Sequence, residues 1–163
     1  MPKIVENPTA VQVAAASLRS DQEPLGTVGL PMRDQIAHAT LVSLLGTRFP
    51  EPCDKLIFQG SVLTIQRNAL VQLMRGDWVI MIDDDMTWEP DALLRLVDTY
   101  YSLKDQGLDP DIVGGLCFRR GFPYQPTLYM RETATTGPYN IRETWEPGEI
   151  VEVDATGMAF CLI

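Results

Sequence analysis

The sequence predicts an α/β domain, a three-layer α/β/α sandwich around a mostly parallel sheet. Three observations carry this expectation. Apolar runs of strand length alternate with segments of helical period. One run, Trp78-Val-Ile-Met-Ile82 after Asp77, is apolar without interruption, as a strand buried on both faces requires. That run leads straight into three carboxylates, Asp83-Asp84-Asp85, at the strand end where open α/β sheets bind their ligands.

Residues 1–23 show no clear period and read as a loose leader or one weak helix over 11–18; the domain proper is expected over 24–163. Residues 25–30 read as a strand closed by Pro31, and 34–45 as a helix stopped by Gly46. A second strand follows at 55–58. A second amphipathic helix at 65–74 ends at Arg75-Gly76, a common stop. After the third strand, Glu89-Pro90-Asp91 opens a helix whose apolar face holds Leu93, Leu94, Leu96 and Val97. Residues 111–118 form the fourth predicted strand. Four prolines and three tyrosines between 119 and 147 indicate a hairpin or long loop, and 149–163 returns to strand character. The last residues, Ala159-Phe-Cys-Leu-Ile163, are apolar to the end, which suggests a sequence that stops inside a strand of a longer protein.

A chain of 163 residues has room for one domain. With 13 Lys and Arg against 22 Asp and Glu, its net charge is −9, which excludes a surface built to lie along nucleic-acid phosphates or anionic lipid. A phosphorylated small molecule held in a local pocket remains open. No apolar stretch approaches the ~20 residues of a membrane-spanning helix, and polar residues break any signal-type run near the start. Cys53, Cys117 and Cys161 form no CxxC pair and read as buried free thiols, so a soluble, cytoplasmic protein is expected. His38 is the sole histidine, which rules out a histidine-rich zinc site.

The acidic triplet is the strongest chemical signal. Adjacent carboxylates repel one another and call for a cation. Alternation along an extended backbone points Asp83 and Asp85 the same way and Asp84 the other. Two convergent oxygen ligands suit Mg²⁺ or Mn²⁺, which then bridges substrate phosphates. The bland reading is a solvated acidic turn ahead of the Pro90 helix.

The stretch Trp78-Val-Ile-Met-Ile-Asp-Asp-Asp-Met-Thr-Trp-Glu-Pro-Asp-Ala-Leu-Leu-Arg-Leu96 resembles the DxD region of A-fold glycosyltransferases, family 2 in particular. Gln66-Arg-Asn-Ala-Leu-Val71 looks like the Arg-Asn segment of the preceding helix. Asp111-Ile-Val-Gly-Gly115 with Arg119-Arg120 and Pro123 resembles the following strand and its loop. Val153-Asp-Ala-Thr-Gly157 and the residues after it look like the acceptor-side strand. These segments stand in the family's order over residues 25–163. The resemblance implies a Rossmann-like nucleotide-diphospho-sugar transferase (GT-A) fold. It also implies metal-dependent transfer of a sugar from a UDP- or GDP-sugar to an unknown acceptor.

By the same resemblance, Asp85 holds the metal with Asp83 assisting, and Asp83 and Asp84 also reach the donor ribose. Pro31, Arg33 and Asp34 belong to the nucleotide-facing loop, Gln59 lies near the base, and Arg67 and Asn68 contact donor or diphosphate. Gly114 and Gly115 admit the sugar closely, with Thr156 and Gly157 beside donor or acceptor sugar. The family's catalytic base lies beyond the Thr-Gly strand and is expected past Ile163, so none is assigned.

Two other readings stand beside it. Asp83-x-Asp85-x-Thr87 fits the signature of haloacid-dehalogenase-like phosphatases, with Asp83 as nucleophile. Those enzymes carry the motif on their first strand, whereas two strand–helix units precede it here. The other reading is a non-catalytic nucleotide-sugar-binding fragment.

Overall fold

In the computed structural model, which describes residues 16–131 and 138–163, every residue of Trp78–Ile82 is buried. This strand, β4, lies inside a six-stranded sheet whose other members are β1 (Ala16–Leu18), β2 (Gly26–Met32), β3 (Cys53–Gln59), β5 (Val113–Gly114) and β9 (Phe160–Leu162). The order is β1-β3-β2-β4-β9-β5. β2 pairs in parallel with both β3 and β4, while β9 runs antiparallel to β4 and β5, and β1 antiparallel to β3. Four of the six strands therefore share one direction, as an α/β sheet predicts.

The alternation of β4 divides the core into two. Trp78, Ile80 and Ile82 pack with Leu93, Leu96, Val97 and Tyr100 of α3 (Ala92–Asp105) on one face. Val79 and Met81 pack with Leu70 of α2 (Leu63–Leu73) on the other. A helix on each face gives the three layers. α1 (His38–Gly46) docks through Ser43, whose Oγ accepts from the Trp88 amide, and just beyond its end Thr47 Oγ1 accepts from the Trp88 indole.

Burial of the Trp78 indole, ~200 Å², is worth roughly 5 kcal/mol. Its Nε1 has no partner among the described residues, which offsets about 1–3 kcal/mol of that. The ring has space because Gly26 lies beneath it: a Cβ there would stand 2.1 Å from the indole. Gly76, at φ +86, turns the chain from α2 into β4, and its Cβ would meet the backbone of Leu25 and Gly26 at 2.4 Å.

Several elements depart from the sequence-based expectation. Ala16–Leu18 is an edge strand where a loose leader or a weak helix over 11–18 was expected; residues 11–15 of that stretch lie outside the described residues. Pro31 lies inside β2 instead of closing it. By then β2 has left β4 and pairs only with β3, so a missing N–H is tolerated as on an edge. The helix expected from Asp34 begins only at His38, because the Ala37 amide donates to the Asp84 carbonyl and Ala37 itself is extended.

The strand expected over 111–118 is reduced to Val113–Gly114, after which the chain leaves for a second, three-stranded sheet. That sheet has the order β7-β6-β8, from β6 (Leu128–Arg131), β7 (Tyr139–Ile141) and β8 (Ala155–Thr156). The expected hairpin is the β6–β7 pair. Residues 149–163 split between the two sheets, β8 in the small one and β9 in the large one, since Gly157 sits against Thr127 and breaks the run. No helix among the described residues is long and apolar enough to cross a membrane.

Candidate functional site

Parallel strands deliver their carboxyl ends to one edge of the sheet. From β2 the chain moves outward through α1 to β3, then returns through α2 past β2 to β4. The crevice between the ends of β2 and β4 is thus a topological switch point, the place where open α/β sheets bind ligands. A cleft of about 480 Å³ opens there.

Three loops line it. Pro31, Arg33 and Asp34 come from the end of β2, Gly60 and Ser61 follow β3, and Asp83, Asp84 and Asp85 follow β4. Leu63 and Gln66 of α2 form one wall, and Arg120 reaches in from the loop after β5. Five of the eight residues expected to face the nucleotide therefore share one cleft. Gln59 adjoins it, donating from Nε2 to the Asp34 carbonyl at 3.1 Å. Arg67 stands behind Asp83, and Asn68 is exposed on α2 outside the lining.

The backbone does not stay extended through the triplet, since Asp84 and Asp85 lie in a turn. The chain turns directly after Ile82, with the Met86 amide donating to the Asp83 carbonyl at 3.3 Å, and all three residues line the cleft. Each has its own protein donor. Asp83 Oδ1 accepts from Arg67 at 2.8 Å, and the same guanidinium nitrogen donates to the Met158 carbonyl at 3.2 Å. Asp84 Oδ2 accepts from the Arg33 amide at 3.1 Å, tying the β2 loop to the β4 turn. Asp85 is ion-paired with Arg120.

The Asp83 charge is felt by two buried thiols. Burial pushes Cys161 up to about 11, with Arg67 opposing and Asp83 adding to the rise. Cys117 is raised by burial first and then by Asp83.

Asp83 and Asp85 offer hard oxygen donors at one opening, a chemistry that fits Mg²⁺ or Mn²⁺. Among the described residues no group of three His, Cys, Asp or Glu side chains gathers to hold an ion. An ion here would complete its shell from water and ligand phosphate.

The residues expected beside the sugar form a separate group. A Cβ on Gly114 would lie 3.5 Å from Thr156 Cγ2, and the Gly115 amide donates to the Phe160 carbonyl at 2.9 Å. Gly157 packs on Thr127. None of the four lines the cleft.

Sequence reasoning gave no role to six lining residues, Gln35, Gly60, Ser61, Leu63, Gln66 and Arg120, of which the glutamine on α2 and the arginine make the notable contacts. Gln66 is buried, and its Nε2 donates to the Met32 carbonyl at 2.9 Å and to the Gly60 carbonyl, joining the ends of β2 and β3. Its signal was a glutamine four residues before Leu70 on the buried helix face. The signal for Arg120 was a doubled arginine in an acidic chain, directly before Gly121.

The sequence model of the family described as Glycosyl transferase family 2 matches residues 58–155, more than half of the chain. The match runs from the end of β3 to the start of β8 and takes in α2, β4 and the acidic triplet. No curated protein and no solved structure matches the chain.

Proposed function

The chain belongs to glycosyl transferase family 2, and from this premise we propose that its cleft binds a UDP- or GDP-sugar and that the protein transfers the sugar to an acceptor. The observation that carries the proposal is the acidic triplet at the end of the central strand, in a switch-point cleft that also presents Arg120 and is backed by Arg67. Breaking the bond between the sugar carbon and the diphosphate oxygen leaves growing negative charge on the diphosphate. Cationic groups fixed beside that oxygen lower the barrier.

Asp83 and Asp85 would hold a divalent cation, Mn²⁺ or Mg²⁺, which when bound supplies Lewis-acid stabilisation to the leaving diphosphate. Asp84 spends Oδ2 on the Arg33 amide and so fixes the nucleotide-facing loop; its other oxygen and Asp83 remain for ribose hydroxyls. Gln59, held on the Asp34 carbonyl, stands at the base end with Pro31. Arg67 orients Asp83 from behind. Gly114, Gly115, Thr156 and Gly157 are assigned to the sugar side. Three buried free thiols favour a reducing, cytoplasmic setting for this activity.

Titration calorimetry with UDP, GDP and their sugars, in Mn²⁺ and in EDTA, tests the reading. Binding of one nucleotide and its sugar in Mn²⁺ supports it. Absence of any nucleotide binding contradicts it, and hydrolysis of an aryl phosphate that Asp83→Asn abolishes favours phosphatase chemistry instead.

A further inference from the structure

The ion pairs around the acidic triplet carry a consequence for the ligand. Asp83 is neutralised by Arg67 and Asp85 by Arg120, while Asp84 is satisfied by a backbone amide. The two guanidiniums thus occupy the same carboxylates that would hold a divalent cation. The pairs differ in mobility. Arg67 is held at both Asp83 and the Met158 carbonyl and is only 21% exposed, so it cannot go far. Arg120 is 81% exposed and its side chain has Asp85 as its sole polar partner among the described residues. It rides on a loop that turns at Gly121, φ +100.

We propose that Arg120 is a diphosphate-binding residue that exchanges counter-ions: it rests on Asp85 in the unliganded protein and passes to the donor's diphosphate when Asp85 takes a cation. This rests on the nucleotide-sugar reading above and adds to it a role for a residue outside the acidic triplet. The charges favour such a transfer at Asp85. A divalent cation there repels a guanidinium on the same carboxylate, and the exposed Arg120 is free to leave, whereas the anchored Arg67 takes one oxygen of Asp83 and leaves the other for the ion. A guanidinium released within the cleft finds in a phosphate the planar, bidentate acceptor that suits it best. The exchange also supplies a reason for metal and nucleotide to bind cooperatively, since each removes a competitor or provides a partner for the other.

The test compares the wild-type chain with Arg120→Gln and Arg119→Gln. Arg119 is the neighbouring cation, which bonds Gln125 at 3.5 Å outside the cleft lining. Two affinities are read: Mn²⁺ alone, by the loss of its free-ion paramagnetic resonance signal, and UDP or GDP at saturating Mn²⁺, by calorimetry. Arg120→Gln is expected to bind Mn²⁺ alone about 2- to 5-fold more tightly, as removal of one exposed ion pair implies. It is expected to bind the nucleotide about tenfold more weakly, as loss of a charge-assisted bond implies. Arg119→Gln should match the wild type in both. The exchange is overturned if Arg120→Gln binds Mn²⁺ no more tightly, or binds the nucleotide as well as the wild type. If wild-type protein binds Mn²⁺ but no nucleotide, the donor reading itself fails and the exchange fails with it.

Discussion

Arg75 grips Asp54 with two parallel bonds, Nε to Oδ2 and Nη2 to Oδ1, both 2.7 Å, at the end of the sheet opposite the cleft. The carboxylate has no exposed surface and also accepts from Arg19 at 2.6 Å and from the Ser20 amide at 2.8 Å. One buried acid thereby ties the edge strand β1, the start of β3 and the turn between α2 and β4.

This anchor makes a stability prediction. Asp54→Asn should cost about 2–3 kcal/mol in urea unfolding, below the usual figure for breaking a buried pair because both arginines reach solvent. The Arg75 bond, the Ser20 amide and Arg19 hold the Asp54 carboxyl well below the ordinary range. A depressed folded-state pKa contributes stability that is fully present above the unfolded value of about 4 and is lost as pH falls through the folded one. The gap between wild type and Asp54→Asn should therefore be level from pH 5 to 8 and shrink below about pH 4. A gap that widens under acid would contradict this assignment.

Gly26 predicts a packing cost. In Gly26→Ala the new methyl falls on the fully buried Trp78 ring, so the loss should be about 3 kcal/mol, the upper end for overpacking. Gly29→Ala meets the tip of Leu70 at 2.6 Å, a side chain that shifts more easily, and should lose about 1–2 kcal/mol. Denaturant midpoints of the two variants give the comparison, and equal losses would argue against a rigid indole.

The thiols provide a simple check of the core. Cys53 and Cys161 are each pushed up to about 11 by burial, and Cys117 is raised as well. At pH 8 a thiol reagent should label none of the three in native protein within minutes and all three in guanidinium. Rapid native labelling of Cys53 or Cys161 would show that the sheet opens at β3 or β9, and of Cys117 that the segment after β5 opens.

Arg67 predicts a split between charge and geometry. Arg67→Lys keeps the cation but cannot span Asp83 and the Met158 carbonyl together, so nucleotide affinity should fall about tenfold with little recovery over Arg67→Gln. Full rescue by lysine, measured by calorimetry, would mean that Arg67 acts by charge alone.

Much of this architecture was legible because β4 is apolar throughout and ends in three acids: buried strand, ligand edge and candidate site follow from one stretch. Helices α2 and α3 were legible from their periods. Other features were not, for physical reasons. The triplet was read as extended, whereas the chain turns at once and gives each carboxylate a different partner. The strand expected over 111–118 has two adjacent glycines and little to hold it in a sheet, so it runs only two residues before the small sheet claims the chain. Gln66 and Arg120 owe their places to long-range contacts, with the strand ends and with Asp85, that no local pattern records.

A metal-assisted nucleotide site requires coupling between metal and nucleotide, measured as the factor by which saturating Mn²⁺ changes the calorimetric affinity for UDP or GDP. In the wild type that factor should be about tenfold or more, and the nucleotide should tighten Mn²⁺ by the same amount. Asp85→Ala should abolish it, while Asp98→Ala, on the exposed side of α3, should leave it intact. Nucleotide binding that is equally tight in EDTA, or coupling that survives in Asp85→Ala, would contradict a metal-assisted nucleotide-sugar site at the end of β4.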